Sequence, residues 1–152
     1  MGAFEVDWSF LLTTEYVQGL EEGEKRVVTE ELLGYLAILH RIKSKTTGSP
    51  DPKGPVIPPY RAMAADDTRD TWPRKTSDKE EYVFCHNDPS QANIIVDPET
   101  LKIKAIVEWE YAGFWPEWFK MRIWERVGPS VALERFGERE DVPALLSFLN
   151  GS

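Results

Sequence analysis

Cysteine, long apolar runs and basic residues are all scarce in this sequence, and each scarcity narrows the class of protein. Its one cysteine, Cys85, falls in a predicted strand, where a buried thiol in a reducing compartment is a better explanation than a nucleophile. No apolar run approaches the ~20 residues of a membrane-spanning helix. The first residues lack the basic-then-apolar pattern of a secretory signal. We therefore expect a cytoplasmic location and no membrane partner.

The shortage of basic residues gives the chain a strongly negative charge. Acidic residues outnumber basic ones by 26 to 18, for a net charge of −8. A negative surface repels nucleic acid and anionic membranes, so we expect neither as a partner, whereas a cationic substrate would suit the field. The 152 residues predict a single domain, 1–152, and a hydrophobic fraction of 41% with six tryptophans predicts a packed core.

Hydrophobic patterning predicts an α+β fold. The predicted strands are rich in β-branched and aromatic residues or alternate in polarity, and they are 10–17, 82–85, 93–97 and 101–107. A turn at 97–100 joins the last two into a β-hairpin, and Gly113–Pro116 is expected to break the chain after it. The predicted helices are 21–44, 117–127, 129–136 and one that begins at Asp141 and ends near Asn150.

The long helix predicted over 21–44 has the clearest pattern. Acidic residues stand near its start and basic ones near its end, which matches the helix dipole; the basic residues are Arg41, Lys43 and Lys45. Its apolar residues recur at helical spacing and should share one buried face: Val28, Leu32, Tyr35, Leu36, Leu39 and Ile42.

Residues 46–80 are predicted to form a long proline-rich loop within the domain. A structureless connection of this length is unusual in a compact domain, so the segment either faces a substrate or wraps the surface in extended form. Ile57 and Trp72 are too apolar for a free linker. We therefore expect the loop to be at least partly docked and not to mark a domain boundary.

A cluster of polar residues around the hairpin carries the chemistry. Asp88 lies on a tight connection between two strands, where a carboxylate can accept a proton from a hydroxyl. Asn93 offers an amide oxygen, and Glu108, fifteen residues further on, offers a carboxylate. Magnesium prefers such oxygen ligands. His86 stands beside the loop, which it could brace through hydrogen bonds to backbone carbonyls.

Each of these residues also has a plain structural explanation. Asp88-Pro89 is a turn signal, Asn93 could simply turn or cap the backbone, and Glu108 and Glu110 could be solvated residues of an alternating strand. A structural His86 is favoured over a catalytic one because a carboxylate already suits the role of base. The combination of residues, however, favours a site.

The same residues resemble the aminoglycoside phosphotransferase and choline kinase-like superfamily, a branch of the protein-kinase fold, and most closely its fungal members. Residues 12–17 and 36–40 are similar to the family's hinge strand and to the helix ahead of its catalytic loop. The specific part of the resemblance is His86-Asn87-Asp88, Asn93-Ile94-Ile95-Val96-Asp97, Ile106-Val107-Glu108-Trp109-Glu110-Tyr111-Ala112-Gly113-Phe114 and Pro116.

The resemblance implies a fold and a set of roles. The fold would be a kinase-like carboxy-terminal lobe, mainly helical, with a small antiparallel hairpin and a hinge-like strand. Asp88 would be the catalytic base, Asn93 and Glu108 would bind Mg²⁺, and His86 would support the loop. The cofactor-binding residues would be Glu15, Tyr16 and Val17, whose backbone would face the adenine of ATP.

The sequence also departs from the family's pattern. No glycine-rich loop or strand lysine precedes the hinge, so the amino-terminal lobe is expected to be absent. Glu108 stands where the family has aspartate, and Pro89 follows Asp88 directly. These departures predict a small-molecule-binding domain that is degenerate as an ATP-dependent kinase. The surface left by the missing lobe predicts a homodimer or coverage by the 46–80 loop.

Two other functions stay open from the sequence. One is a non-kinase enzyme of secondary metabolism, in which Asp88, Glu108 and Glu110 act as general acids or bases on an apolar substrate near Trp109, Trp115 and Trp118 during an isomerisation or cyclisation. The other is a non-catalytic dimeric binding module whose tryptophans are interface anchors, although plain core packing explains at least half of them.

Overall fold

The computed structural model describes residues 14–58, 72–119, 123–125 and 141–151. Within these ranges the chain forms two α-helices and two three-stranded antiparallel sheets, which confirms the α+β class. The helices are α1 (Glu22–Leu39) and α2 (Asp141–Leu149), with short 3-10 turns at Val17–Gly19 and Ile123–Glu125. The strands are β1 (Glu15–Tyr16), β2 (Lys43–Ser44), β3 (Tyr82–Cys85), β4 (Ile94–Val96), β5 (Ile103–Ile106) and β6 (Gly113–Pro116).

The first sheet has the order β1-β4-β5 and contains the predicted hairpin. Ile94 pairs with Ile106 and Ile95 with Ala105 across the hairpin, and a bulge follows Ile95. The Asp97 carboxylate closes the connecting turn by accepting hydrogen bonds from the N–H groups of Glu99 and Thr100. Strand β1 pairs with the other edge of β4. Of the strand predicted over 10–17, Glu15 and Tyr16 form β1, whereas Thr14 is irregular and Val17 begins a 3-10 turn, so the strand is shorter than predicted at both described ends. Residues 10–13 lie outside the described ranges.

Helix α1 packs against this first sheet. It begins with a capping box, in which the Glu21 side chain accepts from the backbone N–H three residues on and the Glu24 carboxylate accepts from the N–H of Glu21. The residues of the cluster that α1 forms with the sheet are Val17, Val28, Leu32, Leu36, Ile94 and Val96. Burial of these side chains supplies the hydrophobic stabilisation that holds helix and sheet together.

The predicted end of this helix was wrong. α1 ends at Leu39, and the chain turns to form β2 at Lys43–Ser44, where pairing with β3 satisfies the backbone. Ile42 is consequently exposed, as is Tyr35, so neither belongs to the buried face on which they were placed. The three basic residues expected to complement the dipole lie beyond the helix end.

The second sheet, ordered β2-β3-β6, was not predicted as a sheet. Its central strand β3 has the predicted bounds, but Gly113–Pro116 forms strand β6 where a chain break was expected. Gly113 is required there because a Cβ atom would lie 2.8 Å from the carbonyl oxygen of Gly48. Pro116 is tolerated because β6 lies at the end of the sheet order.

Helix α2 packs against the second sheet and has the predicted bounds. The cluster formed there contains Val56, Trp72, Val83, Cys85, Trp115, Phe119, Val142, Leu145 and Leu149. Cys85 is thus a buried thiol, as expected. The helix predicted from 117 does not begin there, since residues 117–119 form a turn, and 123–125 form a 3-10 turn. The rest of that prediction, and the helix over 129–136, lie outside the described residues.

The described parts of the proline-rich loop are docked, as predicted. Val56 and Trp72 pair across the loop and are both buried in the second cluster. Gly48 forms a bridge with Phe114 of β6, which attaches the loop to the edge of the second sheet. No helix among the described residues is long and apolar enough to cross a membrane.

Candidate functional site

The loop between β3 and β4 brings Asp88 and Asn93 into direct contact. The Asn93 side-chain amide donates to the Asp88 backbone oxygen at 2.9 Å and to Asp88 Oδ2 at 3.1 Å. Within the same loop, the Asn93 N–H donates to the Ser90 carbonyl at 2.9 Å. These bonds fold the loop into a compact turn that fixes the Asp88 carboxylate. The sequence prediction that these two residues meet is thereby confirmed.

The other carboxylate oxygen of Asp88 is the unusual feature of the loop. Asp88 is only 8% exposed, and its Oδ1 atom is buried without a hydrogen-bond partner among the described residues. A buried acceptor without a donor costs about 1–3 kcal/mol, so such an atom calls for an explanation. A ligand that donates a hydrogen bond to Oδ1 would remove this cost.

His86 braces the loop with both ring nitrogens. Its Nδ1 accepts the Asp88 backbone N–H at 3.0 Å, so Nε2 carries the proton that it donates to the Val107 carbonyl at 2.8 Å. Burial lowers the pKa of His86, and the bond to Val107 and the carboxylates of Asp88 and Glu108 oppose that effect. The histidine is therefore neutral near pH 7 and joins the loop to the end of β5, which suits a positioning role.

Asn87 turns the chain between these two residues. Its φ of 72° lies in the left-handed region, which asparagine tolerates better than most residues. Its side-chain amide donates to the carbonyl of Tyr111 at 2.8 Å. The loop is thus tied at one point to Val107 and at another to Tyr111, on either side of the acidic cluster.

Glu108 lies at the same end of the hairpin. The Val107 N–H donates to the Asn93 carbonyl at 2.9 Å, so the residue that precedes Glu108 is bonded directly to Asn93. Glu108 is exposed and has a φ of 60°, an uncommon conformation for a residue with a long side chain. Backbone strain of this kind clusters at functional sites, which is consistent with the predicted role.

Glu110 belongs to a separate concavity, which we call the Trp109 hollow. It has a volume of about 400 Å³ and is lined by Ser49, Pro50, Pro55, Ile57, Phe84, Trp109, Glu110 and Ala112. The ring of Trp109 meets that of His86 edge to face at 4.5 Å, and its indole N–H donates to the Ile106 carbonyl at 2.6 Å. Of the other two tryptophans predicted near the carboxylates, Trp115 is fully buried in the core and Trp118 is exposed.

A second concavity, which we call the α1 hollow, is formed by helix α1 and the loop. Its volume is about 310 Å³. Helix α1 contributes Thr29, Leu33, Leu36 and Ala37 to its wall, and His40 follows directly after the helix. The other lining residues are Cys85, His86, Asn87 and Pro89 of the loop region, with Phe119, Trp124 and Glu125. Asn87 and Pro89, the residues on either side of Asp88, both contribute to its wall.

The predicted adenine-facing residues lie on β1 and just after it. Val17 is buried in the cluster beneath α1, whereas Glu15 and Tyr16 are exposed. The Tyr16 N–H donates to the side chain of Glu15 at 2.8 Å, and the Gln18 N–H donates to the Gln91 carbonyl at 3.2 Å. These bonds use two of the backbone donors that an adenine ring would otherwise contact.

The oxygen atoms around Asp88 partly fit a magnesium ion. Because the Asn93 amide nitrogen donates to Asp88, its Oδ1 is left as an acceptor, and Glu108 adds an exposed carboxylate at the same hairpin end. Among the described residues, no group of three or more His, Cys, Asp and Glu side chains could hold a metal ion. Magnesium usually keeps several waters and needs only one or two carboxylates, so a sparse site of this kind is compatible with it.

Two residues important to the site were missed from the sequence. Gln91 is buried, and its amide donates to the Trp124 carbonyl at 2.8 Å, which links the loop to one wall of the α1 hollow. Arg74 donates to the carbonyls of Thr47, Ser49, Asp51 and Gly54 at 2.7–3.1 Å and so shapes one wall of the Trp109 hollow. The bonds of Arg74 span 20 to 27 residues, so no local pattern could have revealed them.

Comparison of the chain with family models, with curated proteins and with solved structures found no match. The functional interpretation therefore rests on the geometry of the residues themselves.

Proposed function

We propose that this chain is a small-molecule-binding domain of the phosphotransferase type, in which Asp88 accepts the proton of a substrate hydroxyl. The observation that carries the proposal is the Asp88 carboxylate itself. One oxygen is held by Asn93 at 3.1 Å, and the other is buried without a partner among the described residues. A carboxylate fixed in this way is oriented before the substrate arrives, which is the property that a general base needs.

The remaining residues of the loop support this role. Neutral His86 holds the backbone of Asp88 through Nδ1 and does not compete for the substrate proton, because the lone pair of Nδ1 already accepts the Asp88 N–H. The substrate hydroxyl would pass its proton to Asp88 Oδ1 as its oxygen bonds to the terminal phosphorus of ATP and the bond from that phosphorus to the ADP leaving group breaks. ATP with Mg²⁺ would supply the phosphoryl group and neutralise its charge, and Asn93 Oδ1 and Glu108 are the residues that would hold the metal.

The test measures nucleotide binding and phosphoryl transfer by this chain directly. Calorimetry with ATP and Mg²⁺ should show saturable binding. Addition of a hydroxylated or amino compound as phosphoryl acceptor should then lead to release of ADP. Asp88→Asn should lower that release by about 10²–10⁴-fold, the usual contribution of a general base. The control is Asp78→Asn, because Asp78 is exposed and lies outside the loop between β3 and β4. Absence of both binding and ADP release would contradict phosphoryl transfer.

A second candidate function uses the Trp109 hollow. There the Glu110 carboxylate lies on the same concave surface as Trp109 and Phe84, which suits acid–base chemistry on an apolar metabolite without ATP. Glu110→Gln should then abolish an isomerisation or cyclisation that proceeds in the absence of nucleotide. Under the first proposal, Glu110→Gln leaves ADP release within a few fold of the starting protein.

A homodimer stays part of the proposal. β1 lies at the edge of its sheet, and Tyr16 within it is 44% exposed, so this edge presents both backbone groups and an aromatic ring. Sedimentation equilibrium should give twice the 17.5 kDa chain mass. Tyr16→Lys should shift the equilibrium to monomer, and a monomeric starting protein would contradict the dimer.

A further inference from the structure

The α1 hollow has no part in the proton transfer proposed for Asp88. Asp88 is not among the residues that line it, so the buried Oδ1 atom is not part of its wall. Yet the hollow adjoins the loop, because Asn87 and Pro89 both form part of its wall. A ligand in the hollow would therefore touch the loop without occupying the place of the substrate hydroxyl.

The walls of the α1 hollow are mainly apolar. Leu33, Leu36 and Ala37 line the side formed by the helix, and Phe119 and Trp124 lie across from them. Ligand sites of proteins are typically apolar concavities with a few polar groups and span roughly 300–1,000 Å³. At about 310 Å³ this hollow lies at the small end of that range, which corresponds to a molecule of two or three aromatic rings.

The polar groups of the hollow are largely engaged with the protein. The ring nitrogens of His86 are bonded to Asp88 and Val107, and the Asn87 amide is bonded to Tyr111. The Thr29 hydroxyl donates to the Lys25 carbonyl at 2.7 Å, so it is left to act as an acceptor. A ligand therefore needs little more than apolar surface. An anion is disfavoured by the Glu125 carboxylate in the wall and by the net charge of −8.

We propose that the α1 hollow binds an uncharged aromatic molecule and that this ligand contacts and perturbs the loop that carries Asp88. Apolar surface of Leu33, Ala37 and Trp124 supplies the affinity. The bound ligand affects Asp88 through its contact with Asn87 and Pro89, because these two residues flank Asp88 in the chain. The effect on catalysis rests on the proposed function of Asp88, whereas the binding itself does not.

The first test measures binding with N-phenyl-1-naphthylamine, an uncharged aromatic probe that fluoresces in apolar surroundings. The whole chain should give a saturable, one-site increase in fluorescence. Leu33→Glu places a charge in the wall and should weaken binding at least about tenfold, since burying an unpaired charge is costly. The matched control is Ile38→Glu. Both residues lie on α1 and are similarly exposed, at 47% and 55%, but Ile38 does not line the hollow.

A second pair of variants keeps the test valid if a charge disturbs the helix. Ala37→Phe should fill the hollow and abolish probe binding, whereas Ala144→Phe, on an exposed position of α2, should leave it unchanged. The proposal is overturned if the probe does not saturate, or if Ile38→Glu weakens it as much as Leu33→Glu does. The latter result would indicate adsorption to the helix surface.

The coupling to the loop is measured by nuclear magnetic resonance. Saturating probe should shift the amide resonance of Asp88 in the starting protein and should leave it unmoved in Ala37→Phe. An unmoved Asp88 resonance with the probe bound would overturn the coupling. Asp88→Asn separates this inference from the proposed function, because it should keep the probe affinity within twofold while ADP release is lost.

Discussion

The side chain of Asn93 donates to Asp88 twice, to its backbone oxygen at 2.9 Å and to its carboxylate Oδ2 at 3.1 Å. One amide nitrogen thus fixes both the turn of the loop and the direction of the carboxylate. Because the nitrogen is used in this way, the amide oxygen of Asn93 is left as an acceptor. One compact turn therefore holds two oxygen acceptors, Asn93 Oδ1 and the buried Oδ1 of Asp88.

Removal of this amide should destabilise the fold as well as the site. Asn93→Ala deprives a buried carboxylate of its donor, which should lower the free energy of unfolding by about 1–3 kcal/mol in urea denaturation at pH 7. Gln18→Ala is the control, because that side chain is exposed, and it should change the value by less than about 0.5 kcal/mol. Equal effects of the two substitutions would show that Asn93 does not hold Asp88.

The neutral state of His86 makes stability depend on pH. Burial lowers its pKa below the ordinary value of 6.5, so the unfolded chain takes up a proton there at a higher pH than the folded chain does. The free energy of unfolding should therefore fall as the pH drops below 6.5. Above that pH the contribution of His86 to stability should be complete. Denaturation at pH 5.5 and 7.5 checks this, and His40→Gln removes the contribution of the other histidine.

Nitrogen chemical shifts of His86 give an independent measurement. At pH 7 the ring should be neutral with the proton on Nε2, since Nδ1 accepts the N–H of Asp88. A doubly protonated ring at that pH, or titration above 6.5, would contradict both the tautomer and the pH dependence.

The part of the site that the sequence predicted is the part built from neighbours in the chain. Asp88 and Asn93 are five residues apart, so a tight loop between two strands brings them together whatever the rest of the fold does. The bracing role of His86 followed from its place beside that loop. The sequence did not distinguish the surroundings of Glu108 and Glu110, which differ by two positions, because only the fold places Glu110 in the Trp109 hollow.

The same limit explains the errors in the fold. The hairpin β4–β5, strand β3 and the core positions Leu32 and Leu36 follow local periodicity, and the sequence predicted them. Strand β6 contains a glycine and a proline, which locally signal a break, and it forms only because β3 and Gly48 pair with it. The early end of α1 has a similar cause, since strand pairing of Lys43 with Val83 satisfies backbone groups that a longer helix would have used.

Arg74 offers a direct test of one such long-range contact. Its guanidinium donates to four carbonyls of the loop, and a lysine ammonium cannot span them because it lacks the planar fork. Arg74→Lys should lower the free energy of unfolding by about 1–3 kcal/mol and should speed hydrogen exchange at the Gly54 N–H. Arg41→Lys, at an exposed position, should have no such effect. Unchanged exchange at Gly54 would mean that the loop keeps its shape without the clamp.

Two glycines should respond in opposite directions to the same substitution. Gly34 lies within α1, and a Cβ atom added there would have nothing within 4 Å beyond its own helix, so Gly34→Ala should raise the free energy of unfolding by about 0.5–1 kcal/mol. At Gly113 the added Cβ would lie 2.8 Å from the Gly48 carbonyl oxygen and would force apart the bridge between Gly48 and Phe114.

Gly113→Ala should therefore lower the free energy of unfolding by about 1–3 kcal/mol, the usual cost of overpacking. Urea denaturation of both variants beside the starting protein measures the two signs in one experiment. If Gly113→Ala leaves the free energy of unfolding unchanged, the proline-rich loop does not pack tightly against β6. In that case the wall of the Trp109 hollow contributed by Ser49 and Pro50 would not be held against the sheet, and the acid–base candidate for Glu110 would lose its enclosure.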